Sequence, residues 1–391
     1  MEKHIFNVSM KGNENSPSAM FSQLKHLIRD SEIDKTIGEN FPLSDFNSNE
    51  SILIKGSAEL LDCFETVDEE KQDIVEKLEN VRYIGLSDKK ELILRFKSDF
   101  TEDEYNASGI YDFTYDFLND VFSMGKFSRF CISNGHYDLL KENINELINK
   151  MPSIERQYRL LKNDDKWFLR GITSSNRYNN YDNHLALYLT FISLHRYAKQ
   201  NKTFFIVDEA LLSDSELRIF FRQQDSIKIS NIGNIYFGAY ISNNEIREGT
   251  FSLELRYTIV NEDGTSFSGI SDHVFNFTHA TGVKKLKEKL SYSDKIKELK
   301  DITLEHMKTI KIANKLTENQ LYLIFNKIQS SNQKLAKATK DKAKELKKDK
   351  VINNTMGIIE AFDRLNDITT DIDERLYLER LYNEVIKELN K

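Results

Sequence analysis

Residues 167–185, WFLRGITSSNRYNNYDNHL, place a strand, a polar loop and the beginning of a helix within nineteen positions. Trp167 to Thr173 has the aromatic and β-branched content of a strand, and apolar residues recur at helical spacing from Asn183 to Lys199. Working downstream, Phe204 to Glu209 reads as a buried strand, Ser213 to Phe221 as a short helix, and Ile235 to Ser242, Thr250 to Val260 and His273 to Thr278 as three further strands. The Glu262-Asp263-Gly264 turn and Gly269 separate the last two. Upstream, Ile5 to Met10 and Ser51 to Lys55 are strand-like, and Asp68 to Leu78 has a helical pattern. Arg82 to Leu86 and Glu91 to Lys97 flank Ser87-Asp88 as a hairpin. Thr101 is a plausible cap before Phe113, Phe117, Val121 and Phe122, and a second helix follows Gly135. The expectation is an α+β fold, a mixed or antiparallel sheet core packed by helices and followed by a helical C-terminal region.

Three units are expected along the chain: a small α+β unit over 1–100, an α+β core over 101–282, and a lysine-rich helical arm with a terminal helical hairpin over 283–391. The last boundary is compositional. Residues 283–350 hold nineteen lysines and no arginine against nine acidic residues, a surplus of ten in a chain whose net charge is -7. Within it, Lys334 to Lys350 has only Leu335, Leu346 and alanines as apolar content, which reads as a solvated helix or a linker. An apolar period returns through Ile358, Ile359, Phe362 and Leu365, and again through Leu376, Leu381, Val385 and Leu389.

Composition sets the class. With 39% hydrophobic residues, 25 Phe and 17 Tyr, the chain of 391 residues has ample apolar surface for a core. The two cysteines, Cys63 and Cys131, are isolated, so neither a disulfide framework nor a thiolate zinc site is expected. No run of about 18 apolar residues occurs, and the expectation is a cytoplasmic protein without a membrane partner. No P-loop, GxGxxG, HExxH or Ser/His/Asp pattern is present. The sequence therefore assigns no catalytic residue, cofactor or metal, and points away from an enzyme.

Two polar clusters stand out. The first holds Arg170, Arg177, Tyr178, Tyr181, Asp182 and Asn183; guanidinium groups bind phosphate and tyrosine rings stack on unpaired bases, the mixture a single-strand groove requires. The bland alternative has Asp182 or Asn183 capping the helix and Arg177 pairing with Asp182. The second cluster is Ser242, Asn243, Asn244, Glu245 and Arg247, closed by Gly249, either a ligand-presenting loop or a polar turn between antiparallel strands. His184, His195, His273 and His279 read as structural or surface histidines.

RGITSSNRYNNYDN resembles the RAxLSDRYRxIDN signature of a family of unknown function encoded widely by phages, prophages and plasmids. GAYISNNEIREG, Gly238 to Gly249, is similar to its GxxIxNSEVG element, and FSRFCISNGHYDLL to the helix that leads into its core. The resemblance spans roughly 115–282 and places Arg170, Arg177, Tyr178, Asp182, Asn183, Asn243 and Glu245 at signature positions, with Arg256 on the strand that follows. Ser175-Asn176 departs from the usual Ser-Asp. The resemblance implies a phage or mobile-element context and no mechanism.

The function expected from the residues is non-enzymatic nucleic-acid binding, with single-stranded DNA as partner in replication or recombination, through Arg170, Arg177, Tyr178, Tyr181, Asn183, Asn243 and Arg247. The alternatives are a protein-binding factor, such as a host-defence inhibitor or an assembly component, possible also as a homo-oligomer, and a metal-dependent nuclease using Glu245 with Asp182.

Overall fold

The computed structural model describes residues 5–68, 70–97, 104–174, 180–230, 232–246, 250–279, 281–290, 293–309, 316–331, 334–348, 355–369 and 371–389. Their strands form two sheets. The first uses β1 (Asn7–Met10) and β2 (Ile54–Lys55) from the N-terminal part of the chain. The second uses β3 (Lys71–Lys77), β4 (Val81–Leu86), β5 (Leu92–Phe96), β6 (Tyr105–Gly109), β7 (Glu155–Asn163) and β8 (Lys166–Thr173) in the order β3-β7-β8-β6-β5-β4. The chain then returns to the first sheet with β9 (Phe205–Ser213), β10 (Glu216–Ile229), β11 (Gly233–Asn244), β12 (Thr250–Val260) and β13 (Ser266–Thr278). These run as an antiparallel meander, with β1 antiparallel and β2 parallel to β9. The first hundred residues thus supply strands to both sheets.

Helices α1 (Glu32–Asn40) and α2 (Ser57–Asp68) precede the second sheet. Helices α3 (Phe113–Phe122), α4 (Gly125–Asn134) and α5 (Tyr137–Lys150) cover that sheet, closing a core of Leu92, Leu94, Phe96, Phe113, Phe117, Ile144 and Tyr158. Helix α6 (Asn183–Asn201) is buried nearly all round, which is why its pattern carries apolar residues on every side. It packs with Phe21–Leu27, the first sheet and the C-terminal helices in the largest core. Among these, His195 accepts a hydrogen bond from the Leu53 N–H at 3.2 Å and packs edge-on against Phe21 and Phe46, a structural histidine.

Two expected helices are strand or turn. Asp68 to Leu78 contains the end of α2 and β3, because Lys71 to Lys77 pairs residue for residue with Leu161 to Glu155 of β7, and that pairing outweighs local propensity. At Ser213 to Phe221, the Ser213 hydroxyl accepts from the Ser215 and Glu216 N–H groups at 3.2 and 2.8 Å, which makes a hairpin corner in place of the expected short helix. Ile219 and Phe221 face the main core, while Phe220 joins Tyr240, Ile270 and Leu376 on the other face. A sheet covered on both faces needs consecutive apolar residues, and this run imitates a helix. The turn at Gly264 is as expected, with φ of +89° and its N–H on the Asn261 carbonyl at 3.1 Å.

The C-terminal region is helical: α7 (Val283–Leu290), α8 (Ser293–Thr309), α9 (Glu318–Gln329), α10 (Lys337–Lys348), α11 (Thr355–Asn366) and α12 (Ile372–Leu389). Of the two expectations for this stretch, a solvated helix or a linker, α10 is the helix, and one narrow side of it is packed. Leu335, Thr339, Ala343 and Leu346 make a narrow buried stripe in which small side chains allow close approach. Buried Glu374 accepts from the Thr339 hydroxyl at 3.1 Å and from the Ala336 N–H. Helix α12 is tied to the first sheet through Arg256, whose Nε and Nη2 each donate to Glu379 at 2.9 Å. Cys131 is buried and Cys63 partly so, both as free thiols. Among the described residues, no helix is long and apolar enough to cross a membrane.

Glu379→Ala would remove the bidentate partner of the buried Arg256 guanidinium and leave it Asp208 at 3.3 Å as its carboxylate, and the expected cost is about 3 kcal/mol. Urea denaturation followed by circular dichroism measures it; a midpoint equal to that of the wild type would show that Asp208 alone suffices for Arg256.

Candidate functional site

The two polar clusters converge. Arg170 lies on β8 and Glu245 follows β11, yet Arg170 Nη1 donates to Glu245 Oε2 at 2.5 Å with both side chains buried. The other Glu245 oxygen accepts from Lys71 Nζ at 3.0 Å and from the Asn183 backbone N–H at 2.9 Å. Asn183 opens α6, so a carboxylate from a distant loop sits where the helix N-terminus favours an anion. Asn243 joins the clusters a second time, donating its amide to the Tyr181 carbonyl at 2.9 Å and to Asn183 Oδ1 at 3.0 Å. Close approach is possible because residue 171 is glycine: a Cβ there would stand 3.0 Å from the Ile246 Cβ.

Register brings in a second arginine that sequence reading passed over. Arg159 on β7 pairs with Asp73 of β3 on one side and Gly171 of β8 on the other. Its guanidinium spends its N–H groups on Asp73 at 3.2 and 3.0 Å, on both oxygens of Asp182, and on the Glu245 carbonyl at 2.7 Å. Asp182 occupies the N-cap position of α6 without a side-chain capping bond, its carboxylate being taken by Arg159. The chain of charge continues from Lys71 to Asp68 at 2.9 Å, and from Asp68 to Arg29.

The sequence-derived contact residues divide as follows. Arg170, Tyr181, Asn183 and Asn243 are buried and engaged with neighbours within the protein. The Tyr181 hydroxyl donates to the Thr281 carbonyl at 2.6 Å and its ring meets Phe277 edge-on, so it offers no face for stacking. Arg177, Tyr178 and Arg247 lie outside the described residues. Of the four that are described, Arg170 lines the cleft described below, and Tyr181, Asn183 and Asn243 do not. The one charge among the four, Arg170, is met by Glu245 and Asp73, whose spacing in sequence gave no sign of the meeting. Lys71, Asp73 and Arg159 were missed because strand pairing across some 90 residues assembles them, and Asp68, at the end of α2, joins them through Lys71.

These groups floor a cleft of about 320 Å³ lined also by Ser31, Asp34, Asn180 and His184. Burial opposes ionisation of Glu245, but Lys71, Arg170 and Arg159 hold its carboxyl well below the usual range. Asp68 is likewise lowered, against burial, by Lys71 and Arg29, and Asp34 by its hydrogen bonds from His184 and Ser31. His184 Nε2 lies 2.9 Å from Asp34 Oδ1, and the Ser31 hydroxyl donates to the same carboxylate. With the carboxylate between serine and histidine, no base reaches the Ser31 oxygen, and the arrangement is not that of a hydrolytic triad. A metal ion at Glu245 and Asp182 would have to displace arginine from both. Among the described residues, no group of three or more His, Cys, Asp and Glu side chains is placed to hold a metal.

The lysine-rich helix presents a different surface. Helix α10 carries six lysines against Asp341 and Glu345, and both carboxylates pair within the helix, with Lys344 at 2.9 Å and Lys342 at 3.2 Å. Beside it, α9 exposes Tyr322 at 58% and Leu323 at 52%, with Lys347 Nζ 5.4 Å from the Tyr322 ring centroid.

Compared with known proteins, the chain matches no protein-family model, no curated protein and no solved structure.

Two outcomes are expected at this site. Carboxyls held low stabilise the fold above their unfolded pKa of about 4, and that stabilisation is lost as pH falls through the folded values. The urea midpoint should therefore drop between pH 5 and pH 2, more steeply in the wild type than in Glu245→Gln, and a pH-independent midpoint would refute the ionised cluster. Gly171→Ala should push Ile246 outward and cost about 1–3 kcal/mol by thermal denaturation.

Proposed function

We propose that the protein is a non-enzymatic nucleic-acid-binding protein of a phage or mobile element, acting on single-stranded DNA in the host cytoplasm, with α9 and α10 as its contact face. The observation that carries this reading is the cationic α10 surface beside the exposed Tyr322 ring. Lysines supply a sequence-independent attraction to phosphates, and an exposed tyrosine gives an unpaired base a face to stack on. The inward arginines and Tyr181 have no part in it; the genetic context rests on the signature resemblance.

The test is fluorescence anisotropy with a labelled 30-nucleotide DNA at several salt concentrations. Replacing Lys337, Lys347 and Lys348 by Glu should weaken binding and lower the log-log salt slope by about 2, near 0.7 for each phosphate no longer neutralised. Tyr322→Ala should cost about 1–3 kcal/mol if it stacks a base. Arg177→Ala reports whether the central loop shares in binding. Absence of saturable binding at low salt removes the reading.

A second reading, a protein-binding factor, is favoured by a separate surface. Phe130, Tyr137 and Leu139 of α4 and α5 are exposed at 54, 42 and 46%. A nuclease-resistant stoichiometric partner recovered by the wild type and lost from the Phe130→Ser, Tyr137→Ser double variant would support it.

A further inference from the structure

We infer that the cleft above Glu245 is a binding site for a neutral, nucleoside-sized molecule that presents a hydrogen-bond donor and acceptor side by side, as a nucleobase edge does. The argument begins with what is already satisfied. Arg159 and Lys71 have carboxylate partners, as have Arg29 and both terminal nitrogens of Arg170. A ligand with net charge would have to break one of these buried pairs, which is costly at low dielectric. A neutral one need not.

What is left over defines the chemistry. Arg170 Nε, Asn180 Oδ1 and His184 Nδ1 are buried polar atoms without a hydrogen-bond partner, and all three residues line the cleft. Arg170 and His184 are 2 and 3% exposed. Buried polar atoms are paired in all but a few cases, and each exception calls for a cause. Arg170 Nε–H requires an acceptor and Asn180 Oδ1 a donor, while His184, whose Nε2–H is given to Asp34, presents Nδ1 of its neutral ring as an acceptor. A volume of about 320 Å³ lies at the lower end of small-molecule pockets. The site is distinct from the α9–α10 face, so its occupancy does not depend on polymer binding there.

Isothermal titration with adenosine, guanosine, cytidine and uridine, and with ribose as the arm lacking a base, tests the assignment on the full chain. Asn180 is only partly buried and its carboxamide oxygen binds nothing, so Asn180→Leu should fold, as thermal denaturation checks. The expected result is saturable binding of at least one nucleoside, weakened about tenfold by Asn180→Leu and insensitive to the α10 lysine changes, with no heat from ribose. Nucleosides that fail to bind, that bind wild type and Asn180→Leu equally, or that are matched by ribose would overturn it.

Discussion

The Glu245 carboxylate is the point at which the rest of the molecule is fastened. Moving a carboxylate out of water costs several kcal/mol, and only a full set of donors repays that. Those donors come from three places: Arg170 and Lys71 on the second sheet, and the first N–H of α6. Glu245 itself hangs from the end of β11 in the first sheet. One side chain therefore sets the position of both sheets and the central helix at once, and Arg159 repeats the arrangement through Asp73, Asp182 and the Glu245 carbonyl.

Such a floor separates two kinds of charge in this chain. Three arginines are committed internally: Arg159, Arg170 and Arg256 are enclosed with carboxylates, where a planar guanidinium can satisfy several acceptors. The lysines of α10 project from a helix that buries only Thr339, Ala343 and Leu346. A lysine keeps its charge in water while its stem lies along the protein, which suits a face that meets a partner transiently. The three enclosed arginines and the lysines of α10 therefore point to separate roles, cohesion and contact.

Much of the architecture was legible. The strand at Trp167–Thr173, the helix from Asn183, the β11–β13 strands and the C-terminal helical hairpin all follow from period and turn residues. The errors occur where tertiary partners decide. Charged Lys71–Lys77 becomes a strand because β7 lies beside it, and Ile219-Phe220-Phe221 is apolar throughout because both faces of β10 are covered. At the site, sequence picked Arg170, Asn183, Asn243 and Glu245 as special without showing that they touch one another. Their composition suited a groove for a ligand, and equally a buried ionic joint; burial alone distinguishes the two.

The dispersal of the first sheet along the chain has a consequence for biosynthesis. Asn7 of β1 pairs with Ser213 of β9, and Ile54 of β2 with Phe205 of β9. At about 5–20 residues per second, the N-terminal strand emerges from the ribosome roughly 10–40 seconds before its mate exists. Until then it is an unpaired edge in a crowded cell, and its charged and polar neighbours, from Lys11 to Ser18, are what keep the nascent segment dissolved while it waits.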